Sequence, residues 1–398
     1  MSQMLKISPE QKPHFELIKK LLKNRILPEE LVALREQVDA DDLSYIIQRI
    51  YDLNESYIFK LAALEGAIKK VNAIKNAQRN KLFFRKIRSG FRELNNPSHQ
   101  VVLAEGDSWF NYPVILTDII DRIGMERELA VYSIASGGDW LLNMLNARQY
   151  VEELSVSHPD WFLISGGGND LVGSRRLATI LEPGGNSNEY DSNHWAQRLI
   201  DKAEKLHVPL EPYFFRGVKY LSKDFFALLM FFHLQYYYLI NGVLKGGGPG
   251  ELKFPNIRII TQGYDYPLPS FRKRFGINPF RWYIPFIRTF LGHGSWLKQP
   301  LQIRGINEAE AQRQILYSMI YLFNEMMIEM GAYFNSSEVD KKVFHIDSRD
   351  FVGAGGWTDE LHPHPSRFLR IGQTFVDCIR QLQPPTYAHV FVVKKCNP

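Results

Sequence analysis

The sequence predicts an α/β fold, a doubly wound parallel sheet of about five strands between two helical layers, preceded by a helical region. Three observations lead there. From about residue 99, short apolar runs alternate with amphipathic segments, the pattern of parallel strands joined by helical crossovers. Glycine-rich polar blocks follow several of these runs, at the strand ends where open parallel sheets place their sites. Before residue 95 the apolar positions recur every three or four residues instead, which is a helical period.

The helical region covers residues 1–95, with helix expected over 8 to about 92. Ile58, Leu61, Leu64, Ile68, Val71 and Ile74 mark its apolar stripe, and Asn95, Asn96 and Pro97 break the pattern. Residues 96–398 form the second unit. Its strands are expected at "VVLAE" (101–105), "AVYSIA" (130–135), "WFLISG" (161–166), "IRIITQG" (257–263) and "VFHID" (343–347). Helical patterns lie between them at "LTDIIDRIG", "WLLNMLNARQYVEEL", within 221–244 and at "EAEAQRQILYSMIYLFNEMMIEMG", and a last helix runs from about Phe368 to Leu382.

With 398 residues and 45% apolar content the chain has material for a sizeable core. Cys378 and Cys396 match neither a disulfide framework nor a metal-binding pair. The start, "MSQMLKISPEQKPHF", has no apolar segment behind a basic one. A cytoplasmic location is therefore expected. The net charge of +5 resides in residues 1–95, which hold 18 Lys+Arg against 12 Asp+Glu. Lys69 to Arg92 carries nine basic residues and no acidic one. It reads either as a solvated helix face or as a contact for an anionic membrane surface, with nucleic acid the less favoured partner.

Four polar blocks should converge on one edge of the sheet: "GDSW" after strand one, "SGGDW" after strand two, "GGGND" after strand three and "WTDELHPHP" beyond strand five. Ser108 is the candidate nucleophile. A serine hydroxyl attacks only when a base takes its proton, and that base needs an orienting group. Asp359 and His362, three residues apart, supply both, since the carboxylate reaches Nδ1 and leaves Nε2 for the serine. Candidate oxyanion donors are the backbone N–H of Ser108, the backbone N–H of Gly138 and the amide of Asn169. A serine between strand and helix also serves as an N-cap, but a cap does not call for Asp359 and His362. Asp107 and Asp139 read as local supports of the loops. "HPH" at His362–His364 lacks a third ligand, so no metal and no cofactor is expected.

In this order, the four blocks resemble those of the SGNH hydrolases, the GDSL-type esterases and lipases, over about residues 99–383. The resemblance implies a flavodoxin-like sheet and an acyl-enzyme mechanism. It also implies Ser108 as nucleophile, Gly138 and Asn169 as oxyanion donors, Asp359 as orienter and His362 as base. Trp109 stands where the GDSL group has leucine, and the helix after His362 lacks the glycine often found there.

Two aromatic-rich inserts, about 211–250 and 271–300, set this chain apart. Phe225 to Leu244 is long and apolar enough to span a bilayer. A single crossing would separate Asn169 from His362, so the stretch reads as a buried crossover helix or as a wall of an acyl pocket, a subunit contact or a membrane contact. Asn278 to Trp296 reads as a lid or wall over the site. Trp109, Phe232 and Trp282 are the candidate substrate-binding residues. The expectation is an esterase acting on a small-molecule or lipid ester. Alternatives are a carbohydrate O-acetyl esterase, an acyltransferase, and an inactive hydrolase fold that works as a scaffold through its basic helices.

Overall fold

The structure is a computed structural model describing residues 13, 73–92, 96, 98–112, 117–206, 212–246, 252–269, 296–336 and 340–394. Most of the expected helical region, including the boundary near residue 95, lies outside these. Its described part is helical, α1 over 73–88. The chain then enters β1 (Gln100–Gly106), α2 (Ile119–Gly124), β2 (Leu129–Ser133), α3 (Leu141–Ala147), α4 (Gln149–Ser157) and β3 (Trp161–Ser165). A short α5 (Gly168–Val172) leads through α6 (His194–Leu206), α7 (Pro212–Val218) and α8 (Lys223–Lys245) to β4 (Arg258–Gln262). The end comprises α9 (Lys298–Ile303), α10 (Ala309–Asn335), β5 (Val343–Asp347), α11 (Pro365–Ile379) and β6 (Val390–Val392).

All neighbouring strands are parallel, in the order β2-β1-β3-β4-β5-β6. The expected five strands are present within a residue or two of their predicted limits. The sixth, β6, extends the edge beside β5, with His345 opposite Val390. Val101 to Ala104 and Trp161 to Ile164 are buried throughout, as strands covered on both faces must be. The chain leaves β1 first toward β2 and then crosses back to β3, so right-handed crossovers put α2 on one face and α3 and α4 on the other. That reversal opens a crevice at the carboxyl ends of β1 and β3.

Local chemistry sets the helix limits. Asp118 caps α2, accepting the Asp121 N–H while the Asp121 carboxylate accepts that of Asp118. Ser222 caps α8 and Pro365 opens α11. Against the first face, α11 lies on α2 so closely that a Cβ at Gly372 would stand 2.9 Å from the Ile119 carbonyl oxygen.

Among the described residues, α8 is the one helix long and apolar enough to cross a bilayer. It is a crossover helix packed on α10. Phe225, Leu229, Phe232, Tyr236, Leu239 and Val243 are buried, while Met230, Phe231, Leu234 and Tyr238 are exposed. The Tyr236 hydroxyl donates to the Gly166 carbonyl at 2.9 Å, which ties the helix to the loop after β3.

The basic stretch is not simply a solvated face. Lys75, Arg79 and Lys86 turn inward onto the sheet domain: Lys75 and Arg79 reach Asp118, and Lys86 reaches the Glu126 and Leu129 carbonyls. Phe83 and Phe91 pack beside Val101 and Ala130.

Candidate active site

The turn after β1 presents Ser108 at the crevice. Gly106 is required there because a Cβ would meet the Ser165 carbonyl oxygen at 2.9 Å and the Phe110 ring at 2.8 Å. Asp107 is buried beneath the turn. Its carboxylate accepts the Trp109 N–H at 3.0 Å, the Ser165 hydroxyl at 3.1 Å and the Tyr264 hydroxyl. Burial pushes the Asp107 carboxyl above its ordinary range, and these donors, Tyr264 first, oppose that push.

The block before α11 brings the base. His362 Nε2 lies 2.7 Å from Ser108 Oγ, although 254 positions separate the two residues. His362 Nδ1 lies 2.9 Å from both Asp359 oxygens, and both side chains are almost wholly buried. Asp359 Oδ1 also accepts the N–H groups of Leu361 at 2.7 Å and His362 at 2.8 Å. With a carboxylate at Nδ1, that nitrogen carries the proton and Nε2 accepts from the serine O–H.

Asn169 is the second residue of α5 and lines the same cavity as Ser108. Its amide donates one hydrogen to the Asp139 carbonyl at 2.9 Å, leaving a second hydrogen for another acceptor. Gly138 takes φ +85° with open space at its Cβ position, so the left-handed turn alone demands glycine. Gly138 does not line the cavity, but its neighbour Asp139 is the residue that Asn169 holds. Asp170 Oδ2 accepts the Leu141 N–H at 3.0 Å and so joins this loop to α3. Burial raises the Asp170 carboxyl to about 6, against the Leu141 hydrogen bond and the Arg176 charge.

The cavity beside Ser108 has a volume of about 50 Å³. Its apolar wall includes Leu171 and Val172 of α5, Leu297, Leu361, and Leu316, Met319 and Ile320 on one face of α10. Trp109 lines it, its indole N–H donating to the Leu361 carbonyl at 3.2 Å. Phe232 does not line it: the ring is buried where α8 meets α10, edge-on to Phe323 at 5.7 Å. Of the two readings of Phe225 to Leu244, the packing is that of a crossover helix against α10, and it is α10 that lines the cavity. Trp282 lies outside the described residues, as does the second insert up to residue 295. Trp296, where that insert rejoins the described chain, sits edge-on to the His362 ring at 6.1 Å.

Four residues of the site escaped the sequence reading. The Tyr112 ring lies 4.5 Å from that of His362, and its hydroxyl donates to Asp359 Oδ2 at 3.2 Å. Glu360 is buried and accepts the N–H groups of Trp296, Leu297 and Lys298 at 3.0 to 3.1 Å. The Tyr264 hydroxyl accepts the Gly168 N–H at 3.2 Å while donating to Asp107, which joins two of the loops. Asp265 accepts the N–H groups of Tyr266 and Asp350 at 2.7 and 2.8 Å. "GYDYPLP" and "DELH" placed three of these next to recognised strand ends or site residues, but nothing in sequence tells which way they face. His364 points away from His362, its Nδ1 lying 3.2 Å from Thr358 Oγ1. Among the described residues no group of three His, Cys, Asp or Glu side chains gathers as a metal site.

No protein-family model and no curated protein sequence matches the chain. Solved structures similar to it include the following two. One is described as a GDSL-like lipase from Parabacteroides merdae ATCC 43184, at 12% identity and a TM-score of 0.34, covering 72% of this chain and 97% of that one. The other is a phospholipase A1 from Streptomyces albidoflavus NA297, at 15% identity and a TM-score of 0.29, covering 69% and 98%. What this chain does is therefore read from its own residues.

Proposed function

We propose that the protein is a serine hydrolase of the SGNH type that cleaves carboxylic esters of apolar acyl groups through an acyl-enzyme, without a cofactor. The observation that carries this is the line from Ser108 Oγ through His362 to Asp359, at 2.7 and 2.9 Å. In the first half-reaction Ser108 Oγ attacks the ester carbonyl carbon as its proton passes to His362 Nε2, and Asp359 stabilises the imidazolium. The oxyanion takes the second amide hydrogen of Asn169 and the backbone N–H of Ser108, with that of Gly138 as the third donor. Collapse breaks the bond to the alcohol, which leaves with the proton from His362. Water, activated by the same imidazole, then attacks the acyl-enzyme and returns Ser108 to its starting state.

The leucine, methionine and isoleucine wall supports an apolar acyl group. The cavity is about a third of the ~150 Å³ that accommodates a benzene ring in an engineered protein cavity, which supports a short one. The same modest volume favours O-acetyl ester hydrolysis as the second reading. A fluorophosphonate probe tests the chemistry: wild-type protein gains one adduct on Ser108, and Ser108→Ala gains none. An unlabelled wild type, or equal labelling of both, overturns the assignment. Esters graded by chain length then separate the two readings of substrate.

A further inference from the structure

We infer that α1 is a positioning element of the reacting groups, acting on the triad through Asp118 and Tyr112. This rests on the hydrolase reading above. Asp118 is fully buried at the start of α2. Its ion pairs are with two cations of α1, Lys75 at 2.6 Å and Arg79 at 2.5 Å, and both also contact Asp121. Two cations thus face two carboxylates. Removing either cation leaves a single cation for two carboxylates, one of them fully buried.

The same groups hold the loop that carries the nucleophile. Asp118 Oδ2 accepts the Tyr112 N–H at 3.0 Å, and Lys75 donates to the Tyr112 carbonyl at 3.1 Å. Arg79 donates to the Phe110 carbonyl at 3.1 Å. Both backbone polar groups of Tyr112 are therefore fixed by Asp118 and α1. Asn76, next to Lys75 on α1, and Asn111 of the loop both donate their amides to the Ala135 carbonyl at 2.8 Å, which ties the loop to the one after β2.

From this anchored backbone, the buried Tyr112 ring covers His362 and its hydroxyl reaches Asp359. Tyr112 does not touch the reacting atoms. Its donation draws charge from the Asp359 oxygen, so the carboxylate holds the imidazolium less tightly than it otherwise would. Among the described residues, the ionisable groups facing His362 are Asp359, Tyr112 and, across the turn, Asp107. A shift of α1 thus reaches the base through one tyrosine.

The experiment compares wild type, Tyr112→Phe, Arg79→Met, Arg79→Lys and the double variant Arg79→Met/Tyr112→Phe. Ester turnover is followed across pH, together with fluorophosphonate labelling and thermal unfolding. Tyr112→Phe keeps the ring and should move the acid limb of kcat/KM to higher pH. Arg79→Met should move it the same way and lower kcat by up to about 10²-fold, the scale of a small misplacement of reacting groups, while KM changes less. Arg79→Lys should recover part of the loss. The double variant should be no worse than the poorer single one, because both act through one contact. If Arg79→Met does not fold, Lys75→Met and Tyr112→Phe make the same comparison. Active wild type with an unmoved acid limb in Tyr112→Phe, or with additive effects in the double variant, overturns this inference alone. Wild type that neither labels nor turns over esters overturns the hydrolase reading and this one with it.

Discussion

Asp359 holds His362 at two places at once: its oxygens lie 2.9 Å from the ring Nδ1, and Oδ1 accepts the His362 backbone N–H at 2.8 Å. The backbone bonds from Leu361 and His362 fix which oxygen faces the chain. In Asp359→Asn the amide oxygen would keep those backbone donors and the NH₂ would face Nδ1. The ring would then carry its proton on Nε2, where Ser108 needs an acceptor. The expected outcome is a fall in kcat of about 10³–10⁴-fold with unfolding unchanged, near the loss known for the corresponding change in a serine protease. Steady-state kinetics beside a thermal melt decides it, and retained turnover would remove Asp359 from the mechanism.

Asn169→Ala deletes the amide donor but not Ser108 or its base. Turnover should drop by about 10²–10³-fold in kcat, the usual effect of one oxyanion donor. Probe labelling should persist at a reduced rate. If KM alone rises, Asn169 binds substrate rather than the oxyanion.

On the proposed reading, substrate choice follows from the wall of α10. Each methylene buried against Leu316, Met319 and Ile320 adds up to about 0.8 kcal/mol, or about fourfold in kcat/KM. Rates should rise from acetate over the first few carbons and then level off. Ile320→Phe, which fills the cavity, should flatten the rise and spare acetate. An acetate optimum in wild type would favour the O-acetyl esterase reading.

Glu360→Ala frees three backbone N–H groups at Trp296, Leu297 and Lys298. Leu297 lines the cavity and Trp296 borders His362, so the loss should fall on longer esters more than on acetate. Glu360→Gln keeps an acceptor oxygen and should retain part of the activity. Uniform loss across all esters would make Glu360 a matter of stability alone.

Asp170 makes stability depend on pH. Its folded carboxyl, raised to about 6, binds the proton more tightly than an unfolded one titrating near 3.9. Its contribution is therefore most favourable below about pH 4, weakens as pH rises to about 6, and is constant above. The displacement corresponds to on the order of 3 kcal/mol. In Asp170→Asn the side-chain oxygen still accepts from Leu141 and the titration is gone. The variant should gain on wild type in urea unfolding between pH 4 and 7. Parallel profiles would show that Asp170 does not titrate in this range.

Strand positions were legible because parallel strands buried on both faces are continuous apolar runs. β6 was not, since three residues at an edge, Val390 to Val392, leave too short a pattern. Ser108, Asn169, Asp359 and His362 were legible because each follows a strand end in a distinctive block, and the fold brings the four blocks together. Tyr112 and Glu360 were hidden: a tyrosine near an apolar run and a glutamate beside an aspartate have many roles, and theirs depend on partners in distant segments. The same holds for Lys75 and Arg79. Their charges are plain in the sequence, but the carboxylates that neutralise them lie about forty positions on, so a basic run resembles a surface. For Phe225 to Leu244 the sequence left a buried crossover helix and a pocket wall as alternatives, because α8 and α10 are both apolar and only packing decides which one stands beside Ser108.

The hydroxyl of Ser108 and the ring of His362 meet across 254 positions, one at the end of the first strand and the other just before the last long helix. During synthesis, Ser108 has no base beside it until the segment carrying His362 has been made and α11 has settled on α2. On the proposed reading, a nascent, misfolded or clipped molecule would lack a reactive serine, and covalent labelling of Ser108 would double as a count of correctly closed molecules.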